Sequence, residues 1–180
     1  MLDSPAFQRL LERLAQKAVH DPANDDVRLA VQVRARDACE YCLMPTRSQF
    51  HIDHIVPISG WRAYQEGKLL ILASPTDQRP DNLANFAWSC SFCNSAKGNR
   101  VSRHIGQRDV RLFNPRRDTW NEHFVISGRY VLIKGLTPIG KATEQVLTFN
   151  DARLDGPIVT RHKAIMDGIY PPSWARGWGY

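Results

Sequence analysis

Cysteine is scarce in this chain, and none is spare. Four are present in 180 residues, all in two Cys-x-x-Cys pairs, Cys39/Cys42 and Cys90/Cys93. The spread-out cysteines of a disulfide scaffold are missing, and paired thiols suit coordination of one ion better than two separate bridges. Redox exchange and disulfides stay open as lesser readings of the same residues. Long apolar runs are also missing. Met1-Leu2-Asp3-Ser4-Pro5 offers no basic start followed by an apolar stretch, so neither a signal peptide nor a membrane span is expected. A reducing cytoplasm, where thiolates remain available to a metal, fits that absence. There is no internal repeat and no low-complexity tract. Acid is in short supply: 18 Asp and Glu face 24 Lys and Arg, giving a net charge of +6. The surplus favours polyanionic partners without proving them. At 43% hydrophobic and 23% charged, the chain has an ordinary composition for one soluble domain with appendages.

What is present has local order. Ser4-Pro5 reads as a helix cap followed by proline at the first helical position, and Phe7, Leu10, Leu11 and Leu14 recur at helical spacing. A second helix is predicted over about Val27–Asp37, capped by Asp25 or Asp26. Gln49–Val56 reads as a strand, followed by a long connection, 58–81, with a short helix over Trp61–Leu70. Phe86–Trp88 reads as a second strand, and a helix is predicted from Asn94, cut short by Gly98. Further on come a hairpin across Val125–Ile133, a helix from Thr137-Pro138, and a last helix over Pro157–Asp167 with Gly168 as its stop.

The chemistry concentrates between the cysteine pairs, in His51-Ile52-Asp53-His54 and in Asn94. An imidazole titrates near neutrality, which makes His54 the candidate general base. Asp53 and Asn94 supply one carboxylate and one amide oxygen, a donor set that suits Mg²⁺. Neighbours on a regular strand face opposite ways, so Asp53 and His54 can share a site only if the strand bends before Pro57. One Zn²⁺ on Cys39, Cys42, Cys90 and Cys93 would tie the strand to the helix bearing Asn94, although 47 residues separate Cys42 from Cys90. Lys97, Arg100, Arg103, Arg108, Arg111, Arg116 and Arg117 follow as a strip that would meet phosphates.

Asp53-His54-Ile55-Val56-Pro57, Asp81-Asn82-Leu83 and Cys90-Ser91-Phe92-Cys93-Asn94-Ser95-Ala96-Lys97-Gly98 together resemble the HNH endonuclease pattern. The resemblance covers about residues 39–100 and implies a ββα-metal (His-Me finger, treble-clef-like) core in an α+β chain. It implies His54 as general base, Asp53 and Asn94 as ligands of Mg²⁺ or Mn²⁺, and Asn82 as the motif asparagine that orients the loop and the base. The four cysteines match the zinc-bound members, and Asn94 matches an H-N-N variant. The segment after Pro57 is longer than the short turn of most members. His51 shares a strand face with Asp53, and two roles stay open for it: support of metal or phosphate, or a structural histidine. Lys97 is likewise either a phosphate contact or a solvated lysine.

The chain thus divides into a helical lead-in (1–38), a nuclease core (39–105) and an extension of hairpin and helices (106–180). The expected activity is hydrolysis of double-stranded DNA, leaving, as the resemblance implies, 5′-phosphate and 3′-hydroxyl ends. One site per chain means nicking, or double-strand cutting by a homodimer. The rival reading is a non-catalytic, zinc-dependent nucleic-acid-binding module, which needs only the cysteines and the basic strip.

Overall fold

Two helices lead into the first cysteine pair. In the computed structural model, which describes residues 4–17, 19–45, 49–66, 80–128 and 132–177 (without the side chains of 63–65), α1 spans Pro5–Ala15. The Ser4 hydroxyl accepts from Phe7 N at 3.2 Å, and Phe7, Leu10 and Leu14 are buried, as the sequence pattern predicts. Helix α2 spans Asp25–Arg34. Its cap is Asn24, one residue earlier than expected, because the Asn24 amide oxygen reaches Asp26 N at 3.0 Å and Val27 N at 3.3 Å. Asp25 and Asp26 instead fill the first turn, where acids complement the helix dipole. The helix also ends early, since Arg36 and Asp37 turn left-handed, with φ of 54° and 56°.

Strands β1 (Phe50–His54) and β2 (Phe86–Cys90) pair antiparallel, from Phe50 opposite Cys90 to His54 opposite Phe86. Between them, α3 spans Ile58–Gln65, starting before the expected Trp61 and giving way to a turn at Glu66; positions 67–70 of the expected helix lie outside the described residues. Helix α4 (Ser91–Lys97) follows β2 directly and contacts both strands. It begins three residues before the expected Asn94, so Cys93 lies in its first turn. Gly98, with φ of 51°, stops it just past Lys97.

A second hairpin, β3 (Ser102–Ile105) with β4 (Arg108–Arg111), was not foreseen from the sequence. It occupies the heart of the basic strip. The predicted third hairpin is present as β5 (Phe124–Ser127) and β6 (Leu132–Gly135), preceded by the short α5 (Trp120–His123). Helices α6 (Pro138–Val146) and α7 (Pro157–Met166) also match expectation, with Thr137 capping Gly140 N and Gly168 turning left-handed after α7. A Cβ added at Gly140 would lie 2.0 Å from the His123 carbonyl oxygen, so only glycine lets α6 pack this close.

The described residues form a mixed α+β chain with seven α-helices and three two-stranded antiparallel sheets. One apolar cluster runs from Phe7 through Phe86 and Phe124 to Ala175, joining lead-in, core and extension. The extension is also fastened to the first cysteine pair: Trp120 Nε1 donates to Tyr41 O at 2.9 Å and Tyr170 Oη to Cys42 O at 3.1 Å. None of the described helices is long and apolar enough to cross a membrane.

Candidate functional site

All four cysteines are buried, and their sulfur atoms lie within 4.8 Å of one another. Cys42 and Cys90 sulfurs are 3.7 Å apart. Zn–S bonds of about 2.3 Å in a tetrahedron would separate the sulfurs by about 3.8 Å, so the arrangement is compatible with a structural zinc. The first pair sits in a tight turn closed by Cys39 N to Met44 O and Leu43 N to Cys39 O, with Leu43 left-handed. The second pair joins the end of β2 to the first turn of α4. The thiols influence one another strongly. Cys42 is held well below the ordinary thiol value, first by hydrogen bonding from Cys39 and then by Cys90 and Cys93. Burial first, then its three neighbours, pushes Cys93 well above that value, and Cys39 is the main influence raising Cys90. A divalent ion would allow all four to ionise.

Asp53 does not stand open beside His54. It is 5% exposed, and both carboxylate oxygens are engaged: Oδ1 accepts from Lys97 Nζ at 3.0 Å and Oδ2 from Tyr41 Oη at 2.6 Å. Lys97 is 2% exposed and also donates to the His54 carbonyl oxygen at 2.8 Å. Burial raises the Asp53 carboxyl, against the opposing pull of Lys97, Tyr41 and His54. Burial, then Asp53, drives Tyr41 far above its usual range, so its hydroxyl keeps its proton and donates. Neither reading of Lys97 from sequence, a phosphate contact or a solvated side chain, fits this position. Its ammonium fills the role expected of a bound cation. Asp53 as arranged is therefore not a vacant ligand for Mg²⁺, which would have to displace Lys97.

His54 takes a different partner. The strand stays in register through His54 and the chain bends only beyond it, at Ile55 and Val56, so Asp53 and His54 take separate partners. His54 Nε2 lies 2.9 Å from Asp81 Oδ1, with side-chain exposures of 17% and 34%. Its ring meets Phe86 edge-on, with centroids 5.0 Å apart. The Asp81 segment is well anchored: His20 N donates to Asp81 O at 2.9 Å, and Arg34 donates to Leu83 O and Phe86 O at 2.9 and 2.7 Å. A carboxylate on Nε2–H leaves Nδ1 as the acceptor of the ring.

Asn82 and Asn85 make different bonds, and it is Asn85 that ties the chain across the loop. Asn82 caps its own 3-10 turn, Leu83–Asn85, through Ala84 N at 2.8 Å. Asn85, 7% exposed, accepts from Val56 N at 2.9 Å and donates to Val56 O at 2.9 Å and Pro80 O at 3.0 Å. It thereby locks the chain leaving β1 to the chain entering β2. Asn94 is half-buried, and no described residue hydrogen-bonds its amide. His51 is exposed and likewise makes no such bond.

The basic strip divides in two. Lys97 is buried on Asp53. Arg111 holds Asp118 through two bonds of 2.5 and 2.6 Å, and Arg116 pairs with Glu40. Arg103 and Arg108 lie exposed on the β3–β4 hairpin, and Arg100 is exposed just before it.

Comparison with protein-family models, curated proteins and solved structures returned no match for this chain. The site must be read on its own geometry. That geometry adds three residues to those singled out from sequence: Asp81, Asn85 and Tyr41. Asp81 and Asn85 flank the motif asparagine, but their partners lie across the fold. Tyr41, between the first two cysteines, gave no signal beyond its place in that turn.

Proposed function

We propose that this chain is an HNH-type endonuclease that hydrolyses DNA phosphodiester bonds, with His54 as general base. The observation that carries the reading is the partly exposed pair of His54, at the end of β1, and Asp81, in the segment leading into β2, the strand that ends in the second cysteine pair and α4. Asp81 holds Nε2–H, so Nδ1 can take a proton from water. The hydroxide attacks phosphorus in line, the bond to the 3′ oxygen breaks, and Asp81 stabilises the imidazolium. The zinc expected on the four cysteines keeps this frame rigid and takes no part in the chemistry. A divalent ion such as Mg²⁺ would supply charge neutralisation at the departing oxygen. Asn94, whose amide no described residue engages, would be one donor to it, and Asp53 could join only after releasing Lys97. Exposed Arg100, Arg103 and Arg108 would hold the DNA backbone with little base preference.

A second reading has its own support: Lys97 already satisfies Asp53, as suits a zinc scaffold that binds nucleic acid without cutting. Plasmid nicking with Mg²⁺, with Mn²⁺, with EDTA and with His54→Ala separates the two. The nuclease reading expects metal-dependent nicking that falls by about 10²-fold or more in the variant. DNA binding without cutting under every metal would establish the scaffold instead, and cutting unchanged in His54→Ala would remove the mechanism.

A further inference from the structure

The buried face of α7 carries a charge at its centre. Pro157, Arg161 and Ala164 line that face at helical spacing. Arg161, at 0% exposure, is the largest fully buried side chain among the described residues. An arginine is almost never wholly buried unless a negative charge answers it. Its Nη2 donates to Phe149 O at 2.5 Å and to Asn150 Oδ1 at 3.2 Å. Both acceptors are neutral, so they orient the guanidinium and leave its full charge in place.

The turn that bears the first cysteine pair is where that charge acts. Each residue of the turn from Glu40 to Cys42 is held by the C-terminal extension. Arg116 pairs with Glu40, Trp120 Nε1 donates to Tyr41 O at 2.9 Å, and Tyr170 Oη donates to Cys42 O at 3.1 Å. Tyr170 is itself tied to α7, its N–H reaching Ala164 O at 3.1 Å, one turn on from Arg161 along the same face. The link is electrostatic as well as mechanical. Cys42 is held below the ordinary thiol value first by Cys39, then by Cys90 and Cys93, and against burial the Arg161 charge adds to that pull. Four thiolates on one Zn²⁺ carry more negative charge than the ion cancels, and in a buried cluster the surplus requires a fixed cation.

We infer that Arg161 is the counter-charge of the zinc–thiolate centre, so that the C-terminal extension governs how tightly the metal is held. The inference rests on the zinc reading of the four cysteines and is independent of the nuclease reading. The test is competition for zinc between the folded full-length protein and a colorimetric chelator, with circular dichroism as the check on folding. Arg161→Gln removes the charge and keeps a donor for Phe149 O; its zinc affinity should fall about 10- to 100-fold. Arg161→Lys keeps the charge and gives up the fork, and should bind zinc nearly as the parent does. Asn150→Ala deletes a partner of Arg161 and loosens the same loop without changing charge, and should also leave zinc affinity near the parent's. Tyr170→Phe loses only the hydroxyl on Cys42 O and should weaken zinc by a smaller factor than Arg161→Gln. Parental affinity in Arg161→Gln would overturn the inference. So would equal losses in Arg161→Gln and Asn150→Ala, which would make Arg161 a packing residue. Should Arg161→Gln not fold even in excess zinc, Arg161→Lys decides: affinity near the parent's supports the counter-charge, and a loss of about tenfold or more overturns it. A parent chain that holds no zinc would remove the zinc reading itself, a result told apart from the others before any variant is made.

Discussion

The two strand pairs on either side of α4 have strands of similar length, five residues against four, and treat charge in opposite ways. In β1–β2 the less exposed polar groups have assigned partners, Asp53 with Lys97 and Tyr41 and His54 with Asp81, and only His51 stands exposed without one. In β3–β4, Arg103 and Arg108 point to solvent and His104 pairs with Asp109 at the surface. A charge taken out of water must find a counter-charge in a fixed place, whereas an exposed one need not. The first hairpin is thus suited to position a reacting group. The second is suited to hold a polyanion whose position along it varies.

The comparison can be broken most forcefully at the cysteines. Cys93→Ser should abolish folding, because structural zinc contributes on the order of 10 kcal/mol, comparable to the whole stability of a domain. Metal content and circular dichroism read the outcome; a folded, zinc-free variant would show that the first hairpin holds its geometry unaided. Lys97→Met comes next. It leaves the 5% exposed Asp53 carboxylate without its cation, and a loss of about 3–5 kcal/mol in urea unfolding is expected. Adding Asp53→Asn should recover much of that loss, because the stranded charge goes with it. A Lys97→Met variant as stable as the parent would mean that Asp53 finds another partner.

A smaller effect belongs to Asp118, the anchor beneath the second hairpin. Burial alone would raise its carboxyl, but the bonds from Arg111 and the Asn114 N–H outweigh burial and leave it below the usual value. A carboxyl lowered on folding stabilises above its unfolded value of about 3.9, and that contribution drains away as pH falls through the folded value. Urea unfolding should therefore show stability falling below about pH 4, and Asp118→Asn should flatten that limb while costing stability at neutral pH. An unchanged acid limb in the variant would assign the loss to other groups. The smallest effect on stability is expected for Arg103→Gln with Arg108→Gln, within about 0.5 kcal/mol. The same pair should lower DNA affinity and reduce the salt dependence of log K by about 2 if both arginines meet phosphates. Unchanged DNA affinity would remove the exposed hairpin from the interface.

How much of this was legible in the sequence follows the same division. Features set by neighbours along the chain could be read directly: the Ser4 cap, the apolar stripe of α1, the Thr137-Pro138 start of α6 and the Gly168 stop. The cysteine pairs were legible because thiol spacing has few uses. The strip from Lys97 to Arg117 looked uniform, yet three of its seven members serve buried or half-buried carboxylates. Lys97 and Asp53 are 44 positions apart, and no periodicity announces such a partner. The motif asparagine fell on Asn82 for the same reason. Only the fold shows that Asn85, three residues on, reaches back to Val56.

That bond has a consequence for how the chain can vary. Asn85 fastens the exit of β1 to the entry of β2, and the cysteine cluster gathers their far ends with α4. An apolar side chain at position 85 would leave the buried Val56 N–H and carbonyl without their partners, and both junctions would loosen at once.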